Sequence, residues 1–154
     1  PRAPLPHADE RSSGGGLRLL SPASRWLMND SYANDARIVK QLGPASVLLN
    51  PSDAAERGLV DGQLARLSNE TGSLELQVIT SNEVPQGVAL AHKGRWPKRE
   101  NEGANVNTLN PGVKTDMGES TSVHAVEVLV APVIHSSTNR RGGTVKLTPT
   151  GLKM

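Results

Sequence analysis

The chain has 154 residues, 36% of them apolar, and its only aromatics are Trp26, Trp96 and Tyr32, so it can close one modest core of Val, Leu, Ile and Ala. Lys and Arg number 17 against 15 Asp and Glu, and a net charge of +2 is no signature of nucleic-acid binding. The lack of cysteine excludes disulfides, thiolate metal sites, iron–sulfur ligation and cysteine nucleophiles within this chain, and no run approaches the roughly eighteen apolar residues of a membrane-spanning helix.

Residues 1–16 combine Pro1, Pro4 and Pro6, a charged cluster and the run Ser12-Ser13-Gly14-Gly15-Gly16. Burial cannot offset the ordering entropy of such a segment, which predicts a flexible linker. The opening Pro in place of Met suggests a fragment or a processed product. A body then runs over residues 17–132 without internal repeats. Its 15 Gly and 11 Pro, counted over the whole chain, favour frequent turns over long helices and argue against a helical bundle.

Residues 34–42 (NDARIVKQL) predict a short helix stopped by Gly43-Pro44, and residues 47–49 a short apolar strand. Residues 52–57 follow Pro51 and end at Gly58, which predicts one or two helical turns; Asn50 and Asp53 are expected to cap and start them. LARLS (64–68) and the alternating LELQV (74–78) predict a hairpin joined by Asn69-Glu70-Thr71-Gly72. Pro85-Gln86-Gly87 reverses the chain into a strand at 88–91. Residues 93–122 carry no period and are rich in Asn, Gly and Thr, the composition of a binding loop or a disordered one. VHAVEVLV (123–130) predicts a strand apolar enough to be covered on both faces. Residues 133–154 form a polar tail with one short strand expected around 144–147.

Nucleophilic and metal chemistry find little support. There is no GxSxG elbow, the histidines His7, His92, His124 and His135 are scattered singly, and neither a zinc spacing, a GxGxxG nor a Walker motif occurs. The basic run Lys93, Arg95, Lys98, Arg99, offset by Glu100 and Glu102, is a phosphate-facing patch or a solvated loop face. More distinctive are the amides and hydroxyls of two aperiodic segments: Ser21, Ser24, Asn29, Ser31 and Asn34, then Asn101, Asn105, Asn107, Thr108 and Asn110. Amides match the donor–acceptor edges of guanine or a pterin, and hydroxyls suit phosphate oxygens, while the same residue types also build turns.

Four blocks in register give the body a resemblance to the C-terminal molybdopterin-dinucleotide-binding domain of the dimethyl sulfoxide reductase family of molybdenum and tungsten oxidoreductases. LLSPASRWLMNDSYAN (19–34) is similar to the family's Ser-Pro-x-Ser loop, and VLLNPSDAAERGLVDGQLARLSN (47–69) to its Asn-Pro-x-Asp-Ala and Gly-x-x-Asp-Gly signature. Residues 80–90 match a Thr-x-x-x-x-Pro-x-Gly-Val reversal. The last block runs from Gly94-Arg95-Trp96 through Asn105-Val106-Asn107-Thr108-Leu109 to Thr115-Asp116-Met117-Gly118 and Val126-Glu127-Val128.

The resemblance implies an all-β fold, a six-stranded double-psi β-barrel with one or two short helices. It also implies a supporting role, non-catalytic alone, in a parent such as a formate dehydrogenase or nitrate reductase. The cofactor would be molybdopterin guanine dinucleotide, its metal held by the cofactor and by the rest of the parent, and the partners would be the parent's remaining domains or catalytic subunit. The residues carried over as cofactor-binding are Ser21, Ser24, Arg25, Trp26, Asn29, Ser31, Asn34, Arg95, Asn105, Thr115 and Asp116. Arg25 stands where a His is common and Asp30 where a Ser is common; Asp30 should point away from a pyrophosphate or pair with Arg25. A cytoplasmic setting is expected, or a periplasmic one for an exported parent. The alternative reading is a double-psi adaptor barrel like the N-terminal modules of AAA ATPases, which needs no cofactor and has no use for an amide-rich loop. Nucleic-acid binding by residues 93–99 is disfavoured by the small net charge.

Overall fold

The computed structural model describes residues 15–100, 103–114, 118–121, 123 and 126–134. The expected linker up to residue 14, the tail from residue 135 with its strand at 144–147, and residues 124 and 125 of the last strand lie outside them.

Six strands close into a barrel: β1 (Leu17–Leu20), β2 (Ser46–Leu49), β3 (Leu64–Ser68), β4 (Ser73–Thr80), β5 (Val88–Leu90) and β6 (Val126–Pro132), in the order β1-β5-β2-β4-β3-β6. β1 and β5 are parallel, as are β2 and β4, and the other neighbours are antiparallel. This is the expected double-psi β-barrel. Closure pairs both sides of every strand, so strands of three to eight residues hold together without a free edge. The alternation seen in the sequence points Leu17, Leu19, Val47, Leu49, Leu67, Val78 and Val128 inward, all nearly devoid of exposure. Each contributes about 1.5 to 3 kcal/mol by leaving water.

The expected hairpin β3–β4 forms, with Ser68 opposite Ser73. The Asn69 side-chain oxygen accepts from the amides of Thr71 at 2.9 Å and Gly72 at 3.2 Å, which sets its turn. Two strands differ from expectation. β1 was not foreseen as a strand, because LRLL offers a single alternation beside a glycine run. The last strand is shifted toward the C-terminus and is covered on one face only: Val126, Val128 and Val130 point inward, while Glu127, Leu129 and Ala131 face outward. Pairing of Val128 with Leu17 and of Val130 with Leu67 fixes that parity.

Helix α1 (Ala36–Leu42) starts two residues later than the predicted 34–42 because Asp35 is its cap, accepting from the Arg37 amide at 2.8 Å and the Ile38 amide at 3.4 Å. The Arg37 guanidinium, hydrogen-bonded to the same carboxyl, holds Asp35 down at about 2. A lowered folded-state pKa means the cap is fully present above the ordinary carboxylate range and is lost only as pH falls toward that value. Helix α2 (Pro51–Glu56) is capped by Asn50, which accepts from the Ser52 amide at 3.0 Å and donates to the Val84 carbonyl at 2.8 Å. It ends at Gly58, whose φ of 64° suits glycine, with Leu59 N–H returning to the Ala54 carbonyl at 2.9 Å. Within the aperiodic stretch, 3₁₀ turns at Pro97–Arg99 and Val106–Leu109 anchor the chain, the second burying Val106 and Leu109 in the core. Turns this short leave no periodicity to read. Among the described residues no helix is long and apolar enough to cross a membrane.

Asp53 is the one buried charged side chain of the described core. Its carboxylate accepts from the Gly87 amide at 2.8 Å and lies 3.7 Å from the Arg57 guanidinium, which also donates to the carbonyls of Asp53 and Gly15. It therefore ties α2 to the reversal before β5. Asp53→Ala should cost about 1 to 3 kcal/mol, since it leaves the partly buried Gly87 amide without its acceptor and removes the carboxylate beside Arg57, whose guanidinium keeps its two backbone carbonyls. Urea unfolding would show this as a lower midpoint with an unchanged slope; a loss below about 0.5 kcal/mol would contradict it.

Candidate functional site

Because β1 and β5 are adjacent and parallel, the chain leaves both at the same end of the barrel. The two exits stay in contact: Ala91 N–H donates to the Leu20 carbonyl at 2.9 Å and Lys93 N–H to the Pro22 carbonyl at 3.0 Å. Residues 21–34 form the first loop, and residues 91–100 and 103–105 belong to the second.

In the first loop, Ser24 Oγ accepts from the Trp26 amide at 3.2 Å, and Leu27 and Ala33 are buried as anchors. Asn29 and Tyr32 sit at φ 55° and 69°, left-handed conformations that side chains rarely adopt and that neighbouring contacts must hold. In the second loop, one Arg95 nitrogen donates to the carbonyls of Leu42, Gly43 and Pro44 at 2.9 to 3.0 Å, and the other meets Glu100 at 3.3 Å. Arg95 thereby satisfies the carbonyl end of α1. Asn105 uses both ends of its amide: the oxygen accepts from the Asn107 amide at 3.0 Å and the nitrogen donates to the Arg95 carbonyl at 2.8 Å.

Between the loops, α1 and the outer face of β2 and β4 lies a cavity of about 670 Å³. Its floor is apolar, including Leu42, Leu48 and Ile79, and its polar rim comes from the loops. Arg25 stacks on Trp26 with 4.8 Å from guanidinium to ring centre, and Arg99 on Trp96 with 5.4 Å. All four residues line the cavity, together with His92 and Lys93. The acids that share it, Glu75 and Glu100, are paired with Arg66 and Arg95. Arg25, Lys93 and Arg99 therefore give the rim a positive character suited to an anion, and the indole faces suit a flat heterocycle.

Of the residues expected to bind cofactor, Ser24, Arg25, Trp26, Arg95 and Asn105 line this cavity. Ser21, Asn29, Ser31 and Asn34 do not; Ser21 Oγ reaches the Val123 carbonyl at 3.5 Å, and the other three are exposed on the first loop. Thr115 and Asp116 lie outside the described residues. Arg25 does not pair with Asp30 but stacks on its neighbour, while the Asp30 carbonyl accepts from Trp96 Nε1 at 2.6 Å. Trp96 and Arg99, absent from the residues expected to bind cofactor, also line the cavity; the basic run and the Gly-x-Trp sequence both point to that segment. Asn50 has the capping role expected of it, whereas Asp53, expected to help start the helix, instead accepts from the Gly87 amide and faces Arg57.

Arg95→Ala should free three carbonyls and leave half-buried Glu100 unpaired, at a cost of about 2 kcal/mol, with Arg95→Lys recovering only part because an ammonium cannot copy the fork. Thermal unfolding of both variants would check this; an Arg95→Ala chain as stable as the original would show the contacts to be incidental.

The family model for the molydopterin dinucleotide binding domain matches residues 17–126. Trimethylamine-N-oxide reductase 1 of Escherichia coli (strain K12) is 36% identical over 137 residues, covering 77% of this chain and 16% of that protein. The biotin sulfoxide reductase of Cereibacter sphaeroides is 34% identical over 114 residues, 71% of this chain and 15% of its own length. The chain thus spans about a sixth of the curated relatives it matches. Acetylene hydratase from Pelobacter acetylenicus shares the fold, with a TM-score of 0.66 at 15% identity over 76% of this chain and 18% of that one. Sequence, barrel and family model agree: the chain belongs to the molydopterin dinucleotide binding domains of the dimethyl sulfoxide reductase family, whose cofactor is a molybdopterin dinucleotide.

Proposed function

We propose that the cavity between the two loops receives the pyrophosphate and one flat heterocycle of molybdopterin guanine dinucleotide, with this barrel as the cofactor-covering domain of a larger oxidoreductase. The observation that carries this reading is the pair of Arg–Trp stacks, Arg25 on Trp26 and Arg99 on Trp96, lining one cavity with an apolar floor. The donor set fits the group. Arg25, Lys93 and Arg99 offer charge-assisted hydrogen bonds to phosphate oxygens, Ser24 adds a hydroxyl, and the indoles offer faces to a pterin or guanine. Arg95 and Asn105 act from behind, holding the second loop in shape, and Ser21, Asn29, Ser31 and Asn34 lie outside the cavity lining.

When bound, the cofactor supplies the redox-active metal. This chain supplies orientation and charge around it, and the metal's protein ligand belongs to another part of the parent. The names of the relatives favour a parent that reduces an N-oxide or S-oxide over a formate dehydrogenase or nitrate reductase. The family match likewise favours cofactor binding over an adaptor role. Residues 17–132 would be the barrel domain, joined to the rest by a linker at 1–16 and followed by a tail at 133–154.

Calorimetric titration of the chain with GDP tests the reading. GDP should bind weakly, because the domains that would enclose it are missing, and at least about tenfold more weakly to the double variant Arg25→Ala, Arg99→Ala. Equal affinity for the original and the double variant, or no binding to either, would overturn it.

A further inference from the structure

Four consecutive residues of the second loop, Lys93-Gly94-Arg95-Trp96, each meet a different point of the first loop or of the end of α1. Lys93 N–H donates to the Pro22 carbonyl, at the start of the first loop. Gly94 has a φ of 102° and packs so closely on the Asn29 carbonyl that a Cβ would collide with it. Arg95 grips the carbonyls of Leu42, Gly43 and Pro44, at the end of α1. Trp96 Nε1 donates to the Asp30 carbonyl at 2.6 Å. The last residue of α1 and the first loop on either side of its left-handed Asn29 are thus fixed to one tetrapeptide.

We propose that residues 93–96 are a positioning hub that makes the first loop, α1 and the second loop one mechanical unit, with Gly94 and Trp96 as positioning residues for Arg25 and Trp26. Two carbonyls side by side, Asn29 and Asp30, are met from the same direction by a glycine that permits the approach and an indole that donates to it. The left-handed Asn29 lies in the turn that the Ser31 amide closes on the Met28 carbonyl, and the second loop holds that turn from outside. The spacing of the two Arg–Trp stacks follows from this clip. The consequence for cofactor binding rests on the function proposed above; the coupling of the loops does not.

Hydrogen exchange on the full chain tests it with Trp96→Phe, which keeps an aromatic ring beside Arg99 but removes the N–H donor together with part of the indole's apolar area. The Ser31 amide, which donates to the Met28 carbonyl at 2.9 Å, reports on the first loop. It should exchange about tenfold faster in Trp96→Phe, with amides of β3 and β4 unchanged. Unchanged exchange at Ser31, or equal acceleration in the loop and the strands, would overturn the hub. Gly94→Ala, which displaces Asn29 by collision, should give the same localised pattern and serves if Trp96→Phe does not fold. GDP titration of the same variants separates the two claims. Weaker binding that accompanies the faster Ser31 exchange supports the hub as a positioning element, and faster exchange with GDP absent from the cavity in every chain would defeat the cofactor reading while leaving the coupling in place.

Discussion

The parallel pairing of β1 with β5 determines where everything else in this domain can be. Antiparallel neighbours would send their following segments to opposite ends of the barrel. Parallel neighbours send them to the same end, and here Leu20 stands opposite Leu90 at the last rung. The first and second loops therefore leave the barrel together, begin as a continued pair through Lys93 and Pro22, and can enclose a shared cavity. Closure of the barrel lends rigidity to that end, since no strand has an unpaired side at which to fray.

Side-chain amides play a different part from the one their number first suggests. Asn50, Asn69 and Asn105 each use the carbonyl oxygen to fix a local turn or cap and the NH₂ to reach another carbonyl, 34 and 40 positions away for Asn50 and Asn69 and ten away, within the second loop, for Asn105. They are staples between local structure and tertiary structure. A domain with so few aromatics gains order from such directional contacts where apolar packing is thin. The cavity's own chemistry falls instead to arginine and tryptophan, whose planar groups stack without consuming the guanidinium's hydrogen-bond donors.

Local structure is legible in this sequence where turn or cap chemistry marks it, and structure set by distant partners is not. The β3–β4 hairpin, both helices and the Asn50 cap were legible because each carries its own turn or cap chemistry within a few residues. β1 escaped notice because four residues hold too little pattern, and the last strand was misplaced because its register is set by Leu17 and Leu67, distant in sequence. Of the residues that line the cavity, Ser24, Arg25, Trp26, Arg95 and Asn105 are among those the family resemblance points to, and the basic run marks the neighbourhood of Arg99. The clip from Trp96 to Asp30 spans 66 positions and left no trace in spacing or composition. Nor could the sequence show that Arg95 faces α1, since its partners are backbone carbonyls.

Trp26 and Trp96 are the only tryptophans in the chain, and both line the cavity, so intrinsic fluorescence reports on the proposed site directly. Titration with GDP, corrected for nucleotide absorption, should change the emission saturably, and the single-tryptophan variants Trp26→Phe and Trp96→Phe should each retain a saturable response. A signal that never saturates, or that is unchanged in all three chains, would contradict dinucleotide binding between the loops.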